Sequence, residues 1–277
     1  MADARSRRGR SRVGVHTVLI AASLAMVAPF VWEFVTSLQS LSDATRVPPS
    51  PLPGGHWDNY GKVFDLLPFG RQFLNTLLMS LGRTLAQVVL CPMAAYAFAR
   101  LRFPGRGVLF GLFLSVLMVP PQLFIIPQYQ IISDLGWLNS LQALILPGMF
   151  SAFGVFLLRQ SFLSLPRELE EAARIDGAGP LRIYWSVMLP LIRPGLVALA
   201  VLALLWSWND LLWPLVVNTD PDKMTLSAGL ASLQGQFQTD YPVLMAGSLL
   251  ASLPVIAAFV FLQRQFVQGI AYTGVKG

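Results

Sequence analysis

The chain has a single cysteine, Cys91, and two histidines, His16 and His56, among 277 residues. One thiol cannot close an internal disulfide, so no disulfide framework holds this fold. Cys91 lies inside an apolar run and reads as a small buried hydrophobe. Two histidines so far apart give no metal-ligand spacing, and no enzymatic constellation accompanies them. The expectation is therefore no catalytic residue and no metal site. Gly61-Lys62 is followed by Val63, and the upstream glycine spacing is wrong for a phosphate-binding loop. If ATP is used, another chain binds it. Long low-complexity segments and internal repeats are lacking too. Charge is scarce: 12% of residues are charged, against about 25% in a soluble domain.

Apolar residues are plentiful, at 55% of the chain, with a mean hydropathy of +0.59. That composition excludes a two-domain soluble enzyme and points to an all-α polytopic membrane protein. The net charge of +6 suggests nucleic acid only until the charges are placed. They cluster at the ends of apolar runs, which is a topology signal, so no nucleic-acid partner is expected. The partner implied directly by composition is the lipid bilayer.

A basic tail, residues 1–12, carries Arg5, Arg7, Arg8, Arg10 and Arg12. It resembles the start of a signal peptide, but the apolar run that follows continues to about Leu38 with no clean small-residue cleavage site. We read it as an uncleaved first span of a single transmembrane domain, residues 13–277. About twenty apolar residues cross a bilayer as helix. Six runs qualify, at about 15–35, 73–97, 108–126, 141–158, 196–217 and 243–262. The third is interrupted by Pro120-Pro121. With the N-terminus in the cytoplasm, fifteen of the twenty Lys and Arg fall in inside segments, four in outside segments and Arg83 within span two. The asymmetry puts both termini and the stretch 168–178 in the cytoplasm. Outside, residues 40–69 are rich in Pro, Gly and aromatics and predict an ordered, mostly non-helical cap. Residues 218–241 form the second sizeable outside loop, and the connection at 128–139 is short.

Polar groups at membrane depth are costly and so mark candidate sites. Glu33, late in span one, has the plain alternative of facing the outer surface. Arg83, deep in span two, requires a partner or a wet cavity; Asp210 or a residue of a partner chain would serve. Trp206, Trp208, Asn209 and Asp210 occupy the middle of span five, with Pro214 just after them. Their indoles, carboxamide and carboxylate suit a path for a polar solute; a helix kink is the alternative. Gln122 follows the proline pair of span three, where a broken helix can border a transport site. Arg83, Gln122, Trp206, Trp208, Asn209 and Asp210 are thus the candidate translocation path.

The segment 168–178 reads as helix, stop, helix. Pro166 suits a first helical position. Glu168, Glu170 and Glu171 complement the positive end of the helix dipole. Gly177 offers a left-handed stop, and Pro180 can open the next helix. Leu169, Ala172, Ala173 and Asp176 share one face at i, i+3, i+4 and i+7 spacing. Acids and bases nearly balance here, whereas a helix lying on a membrane should be basic. A small apolar face with balanced charge favours a protein partner.

Those residues resemble a known family. Glu171-Ala-Ala173, Asp176-Gly-Ala178 and Leu189-Pro190 are similar to the EAA loop of binding-protein-dependent ABC importer permeases. Trp57-x-Asn59-Tyr60, Asn75, the run from Ala94 to Arg100, Pro120, Pro127, Trp208-Asn209-Asp210 and the ending Gly274-Val-Lys-Gly277 resemble the second, six-span subunit of the maltose-type carbohydrate permeases. Arg83 and Thr273 depart from that pattern. The resemblance implies a type I ABC importer permease (MetI-like) fold with a permease core at about 71–265, in a bacterial or archaeal cytoplasmic membrane. It implies a coupling loop at 163–194, in which Glu171, Ala172, Ala173, Asp176, Gly177, Leu189 and Pro190 contact an ATPase. The implied partners are a homologous second permease subunit, ATP-binding subunits that hold ATP-Mg, and an extracytoplasmic solute-binding protein. The chain itself would need no cofactor. The implied cargo is a sugar or oligosaccharide. A permease of the same fold for a polyol, glycerol phosphate or peptide is the nearer alternative, and an independent secondary transporter the more distant one.

Overall fold

The computed structural model describes residues 2–235 and 239–274, with side chains described over 15–235 and 239–260. The side chains of the arginine tail, Thr273 and the chain end after Gly274 lie outside that set. Among the described residues every regular element is helical. The sequence reading treats 13–277 as one domain; the structure divides the chain into two compact units, Met1–Leu67 with Ser232–Ser252, and Pro68–Ala231 with Leu253–Gly277.

The first unit begins with the helix Ala2–Ser37, of which Val15–Ser37 is long and apolar enough to cross a membrane. Its apolar side chains, Val18, Leu24, Met26 and Phe30 among them, are exposed. An apolar helix with no protein around it suits a bilayer. The segment after it, 40–69, is mostly non-helical, as its prolines and glycines predict, and holds two short helices, Leu41–Ala44 and Asp58–Leu66. Ser40 caps the first by accepting from the Asp43 amide. The second carries the Trp57-x-Asn59-Tyr60 motif at its start and folds it back on the first helix. Buried Asn59 donates through Nδ2 to the Ser37 and Gln39 carbonyls at 3.0 and 2.9 Å. Those carbonyls lie at the end of a helix, where no intrahelical donor remains. The Tyr60 hydroxyl meets Ser37 Oγ at 2.9 Å, and Trp57 stacks on Tyr60 and edges onto Phe34. A hydrogen bond from Lys62 holds the exposed Asp58 carboxyl below its ordinary range.

The second unit is built on the 32-residue helix Phe69–Arg100. It carries the core with Ala152–Leu163 and Arg193–Trp208. Close approach needs small residues at the crossings. A Cβ on Gly154 would come within 2.9 Å of a Leu199 methyl, and one on Gly195 within 2.7 Å of Ser161 Oγ. Cys91, Leu158, Phe162, Met188 and Leu199 fill the core between. Cys91 is thus the buried hydrophobe its sequence context suggests.

Three expected spans are not straight helices. Span three splits into Arg106–Met118 and Pro121–Asp134, which meet at 98°, far beyond an ordinary kink. Pro120 and Pro121 supply no N–H groups to continue the first arm. Span four bends by 40° between Leu141–Gly148 and Ala152–Leu163. Span five does not run through 196–217: its helix ends at Trp208, and Leu212–Val217 restarts after a break at 209–211. Pro214 lacks the N–H that would bond the Asp210 carbonyl, and Asn209 closes the first arm by turning its own Nδ2 onto the Leu205 carbonyl at 2.8 Å.

Asn59→Ala should lower the stability of the first unit by about 1–3 kcal/mol, the cost of leaving a buried polar group unpaired. Limited proteolysis between residues 40 and 57 reads this out. Unchanged cleavage rates would show that the two carbonyls find other partners.

Candidate functional site

Two places in the second unit bring the candidate residues together. The first surrounds Arg83. Its side chain is 8% exposed; Nη1 meets Asp210 Oδ2 at 2.8 Å, and Nε donates to the Leu144 carbonyl at 2.7 Å. Gly148 gives it room, since a Cβ there would sit 2.5 Å from Arg83 Cδ. The arginine therefore pairs within its own chain and joins span two to the break in span five. It also repairs the bend in span four, together with neighbours. Pro147 has no N–H, so the Ala143 carbonyl is left open in the helix; the Trp213 indole donates to it at 2.8 Å. Gln87 Nε2 donates to the Gly148 carbonyl at 2.8 Å.

The other path candidates are spread out. Trp208 is buried and edges onto Phe73, while Trp206 is half exposed against Phe153. Asn209 is exposed. Gln122 is exposed on the turn Pro121–Phe124, and among the described residues no hydrogen bond or ion pair joins it to Arg83 or Asp210.

The second place is the stretch that reads as helix, stop, helix. The helix runs Glu168–Ile175, two residues later than Pro166 suggests, because the Arg167 carbonyl accepts the first bonds from Glu170 and Glu171. Gly177 takes φ +78°, its amide donates to the Arg174 carbonyl, and the Ala178 amide donates to the Ala173 carbonyl. This is a Schellman stop, which favours glycine at that position. Pro180 opens Pro180–Ile183. A wider turn then spans Tyr184–Met188, in which the Leu189 amide reaches back five residues to the Tyr184 carbonyl. Pro190 has no N–H for the Ser186 carbonyl, which favours the wider turn. Leu189 packs at the core edge.

Of the predicted face, Leu169, Ala172 and Asp176 are exposed, and Ala173 packs against the core. Ile175, 86% exposed, extends the free apolar surface. Glu171 is exposed as well. The three glutamates are not equivalent. Glu170 turns inward, its side chain 8% exposed, with Oε1 at 3.3 Å from Arg100 Nε. The contact is a charge contact without hydrogen-bond alignment. Arg174 adds a longer contact at 3.8 Å from outside. Arg100 also donates to the Phe162 and Leu165 carbonyls, closing the end of Ala152–Leu163. One guanidinium thus ties the Glu168–Ile175 helix to the helices Phe69–Arg100 and Ala152–Leu163. Sequence reasoning missed this pair because dipole arguments treat all first-turn acids alike. The available signal was Arg100 at the end of a long apolar run.

Residues 88–272 match the family described as the binding-protein-dependent transport system inner membrane component. The chain belongs to this family. It is the permease, the membrane component of an ABC transport system, and not its ATPase. Relatives include the sn-glycerol-3-phosphate transport system permease proteins UgpE of Yersinia enterocolitica and Pectobacterium atrosepticum. They are 35% and 36% identical over 274 residues, covering 96% of this chain and 97% of each relative. A chain from the crystal structure of a bacterial ABC transporter involved in the import of the acidic polysaccharide alginate superposes with a TM-score of 0.77 at 25% identity, over 92% of this chain and 96% of that one. The fold is accordingly that of an ABC importer permease, as the EAA-like residues imply.

Arg83→Met should cost this permease about 3–5 kcal/mol, because it strands Asp210 in a low-dielectric site. Arg83→Met/Asp210→Leu should recover the charge part of that loss, though not the bond to the Leu144 carbonyl. Thermal melting of the purified complex compares the two. Equal melting of Arg83→Met and wild type would show that the pair does not hold the helices together.

Proposed function

We propose that this permease is one of two related membrane subunits of an ATP-driven importer. A solute-binding protein outside the cell delivers its cargo, a sugar or a sugar-like phosphate ester. The observation that carries the reading is the free face of the Glu168–Ile175 helix. Leu169, Ala172 and Ile175 lie exposed beside Glu171 and Asp176, on a helix anchored from behind by Glu170 and Arg100. An apolar face with small side chains, rigidly backed, fits a groove in another protein. The partner is an ATPase subunit that binds ATP-Mg, and Glu171, Ala172, Ala173, Asp176, Gly177, Leu189 and Pro190 form the coupling loop. None of them does chemistry. They convert closure of the ATPase pair into movement of the membrane helices, swapping access between the two sides. The charge distribution supports cytoplasmic termini and a cytoplasmic coupling loop.

The cargo reading rests on the relatives, whose names give glycerol 3-phosphate and alginate. Both are hydroxyl-rich anions. Trp206, Trp208, Asn209 and Asp210 suit such a solute by stacking and hydrogen bonding. Arg83 is the one arginine within the six apolar runs of the sequence, and its charge is already engaged by Asp210. It therefore orders the path rather than presenting a free cation to the cargo.

In the complete transporter, Gly177→Pro or Glu171→Lys should abolish uptake and weaken ATPase co-purification, while membrane insertion stays intact. Full uptake in both variants would remove the coupling role. Reconstituted alone in vesicles, the chain should transport nothing. ATP-independent transport by the lone chain would favour a secondary transporter instead.

A further inference from the structure

A cavity of about 360 Å³ lies between the end of the Phe69–Arg100 helix, the turn after it and the Glu168–Ile175 helix. Arg100, Arg102, Arg106, Arg167 and Arg174 line it, against only two carboxylates, Glu170 and Glu171. Glu170 is already engaged by Arg100 and Arg174. Among the described residues, Arg102 and Arg167 form no ion pair, and both are exposed. Three positive charges are left in excess in a concave site, where low-dielectric walls concentrate the field.

A second observation points the same way. Arg106 opens the helix Arg106–Ser115, whose first turn holds no acid and whose N-cap, Gly105, has no side chain to accept a bond. The positive end of that helix therefore adds to the arginines instead of being neutralised. Leu101 of the cavity lining is exposed, and the helix that Arg106 opens continues with the exposed apolar side chains of Val108, Leu109 and Leu112, Val108 by 70%. Charge above and apolar side chains alongside match a phosphate group with acyl chains below it, at the boundary where spans two and three leave the membrane.

We propose that this cavity binds the phosphate of an anionic phospholipid headgroup. Guanidinium groups bind phosphate oxygens in pairs, and the volume lies in the range of small-ligand sites. Two of the arginines, Arg167 and Arg174, flank or belong to the coupling helix, so an occupied site ties that helix to the membrane surface. The site does not depend on the identity of the cargo or on ATPase docking. Soluble phosphate offers the same chemistry, and the experiment separates the two sources.

The complete transporter, purified in detergent, is titrated with phosphatidylglycerol, phosphatidylcholine or inorganic phosphate and examined by native mass spectrometry. Wild type should retain phosphatidylglycerol in preference to phosphatidylcholine. Arg102→Gln/Arg106→Gln should bind it roughly thirtyfold more weakly, at about fivefold for each surface arginine. Arg102→Lys/Arg106→Lys should keep most of the binding, which separates loss of charge from loss of fold. Binding of inorganic phosphate alone, lost in the Gln variant, keeps the site and assigns it a soluble ligand. The proposal is overturned if neither phosphatidylglycerol nor phosphate binds wild type more tightly than Arg102→Gln/Arg106→Gln.

Discussion

The second unit depends on one polar stripe along the helix Phe69–Arg100. Gln72, Thr76, Ser80, Arg83, Gln87 and Cys91 recur at intervals of three or four residues and are all buried. A helix that crosses a membrane satisfies its own backbone, so its side chains remain available to serve others. Gln72 donates to the Pro221 carbonyl, and Thr76 Oγ1 accepts from the Leu226 amide. Arg83 and Gln87 take the Leu144 and Gly148 carbonyls, and Cys91 approaches the Ser151 carbonyl. Each of those groups lies in a loop, a turn, a broken helix or, for Leu226, the first turn of a helix. Broken helices at membrane depth need their freed backbone groups satisfied, and at the bend in span four the stripe supplies two of the donors, Arg83 and Gln87.

This explains what was legible in the sequence. Among the described residues three helices are long and apolar enough to cross a membrane, and six if each bent pair counts as one span; the apolar runs point to these helices because length and hydropathy are local properties. Proline pairs locate the break in span three, because a missing N–H is also local. Arg83 could be read as needing a partner, and Asp210 as one candidate, from cost alone. The rest of the stripe passed unnoticed, although its spacing was there to count. Its partners are separated from it by sixty residues or more, and no periodicity reports which carbonyl is left open. The continuation of span five to 217 failed for the same reason. Pro214 marked a disturbance, but where the helix stops was decided by Asn209 folding its side chain back on Leu205.

The stretch 163–194 shows the same division. Gly177 as a stop and Pro180 as a start are dictated by backbone geometry and were readable. The separation of Glu170 from Glu171 was not, because it depends on Arg100 being near. Residues 40–69 are mostly non-helical, as their prolines predict, but the helix Asp58–Leu66 was not readable from composition, because its Asn59 holds carbonyls twenty or more residues away. Tertiary hydrogen bonds outweighed local composition.

Arg83 and Arg100 lie seventeen positions apart on one helix, about 26 Å at the usual rise per residue. Arg100 meets the Glu168–Ile175 helix at Glu170, and Arg83 meets the bend in span four and Asp210 beside the break in span five. Pro92 lies between the two points and removes one backbone bond, but the helix is continuous from Phe69 to Arg100, so apart from bending at Pro92 a displacement at one end is passed to the other. Under the proposed coupling role, movement of the Glu168–Ile175 helix therefore reaches the Asp210 region through this helix. The two buried ion pairs give that displacement discrete points of attachment, which a purely apolar contact would allow to slip.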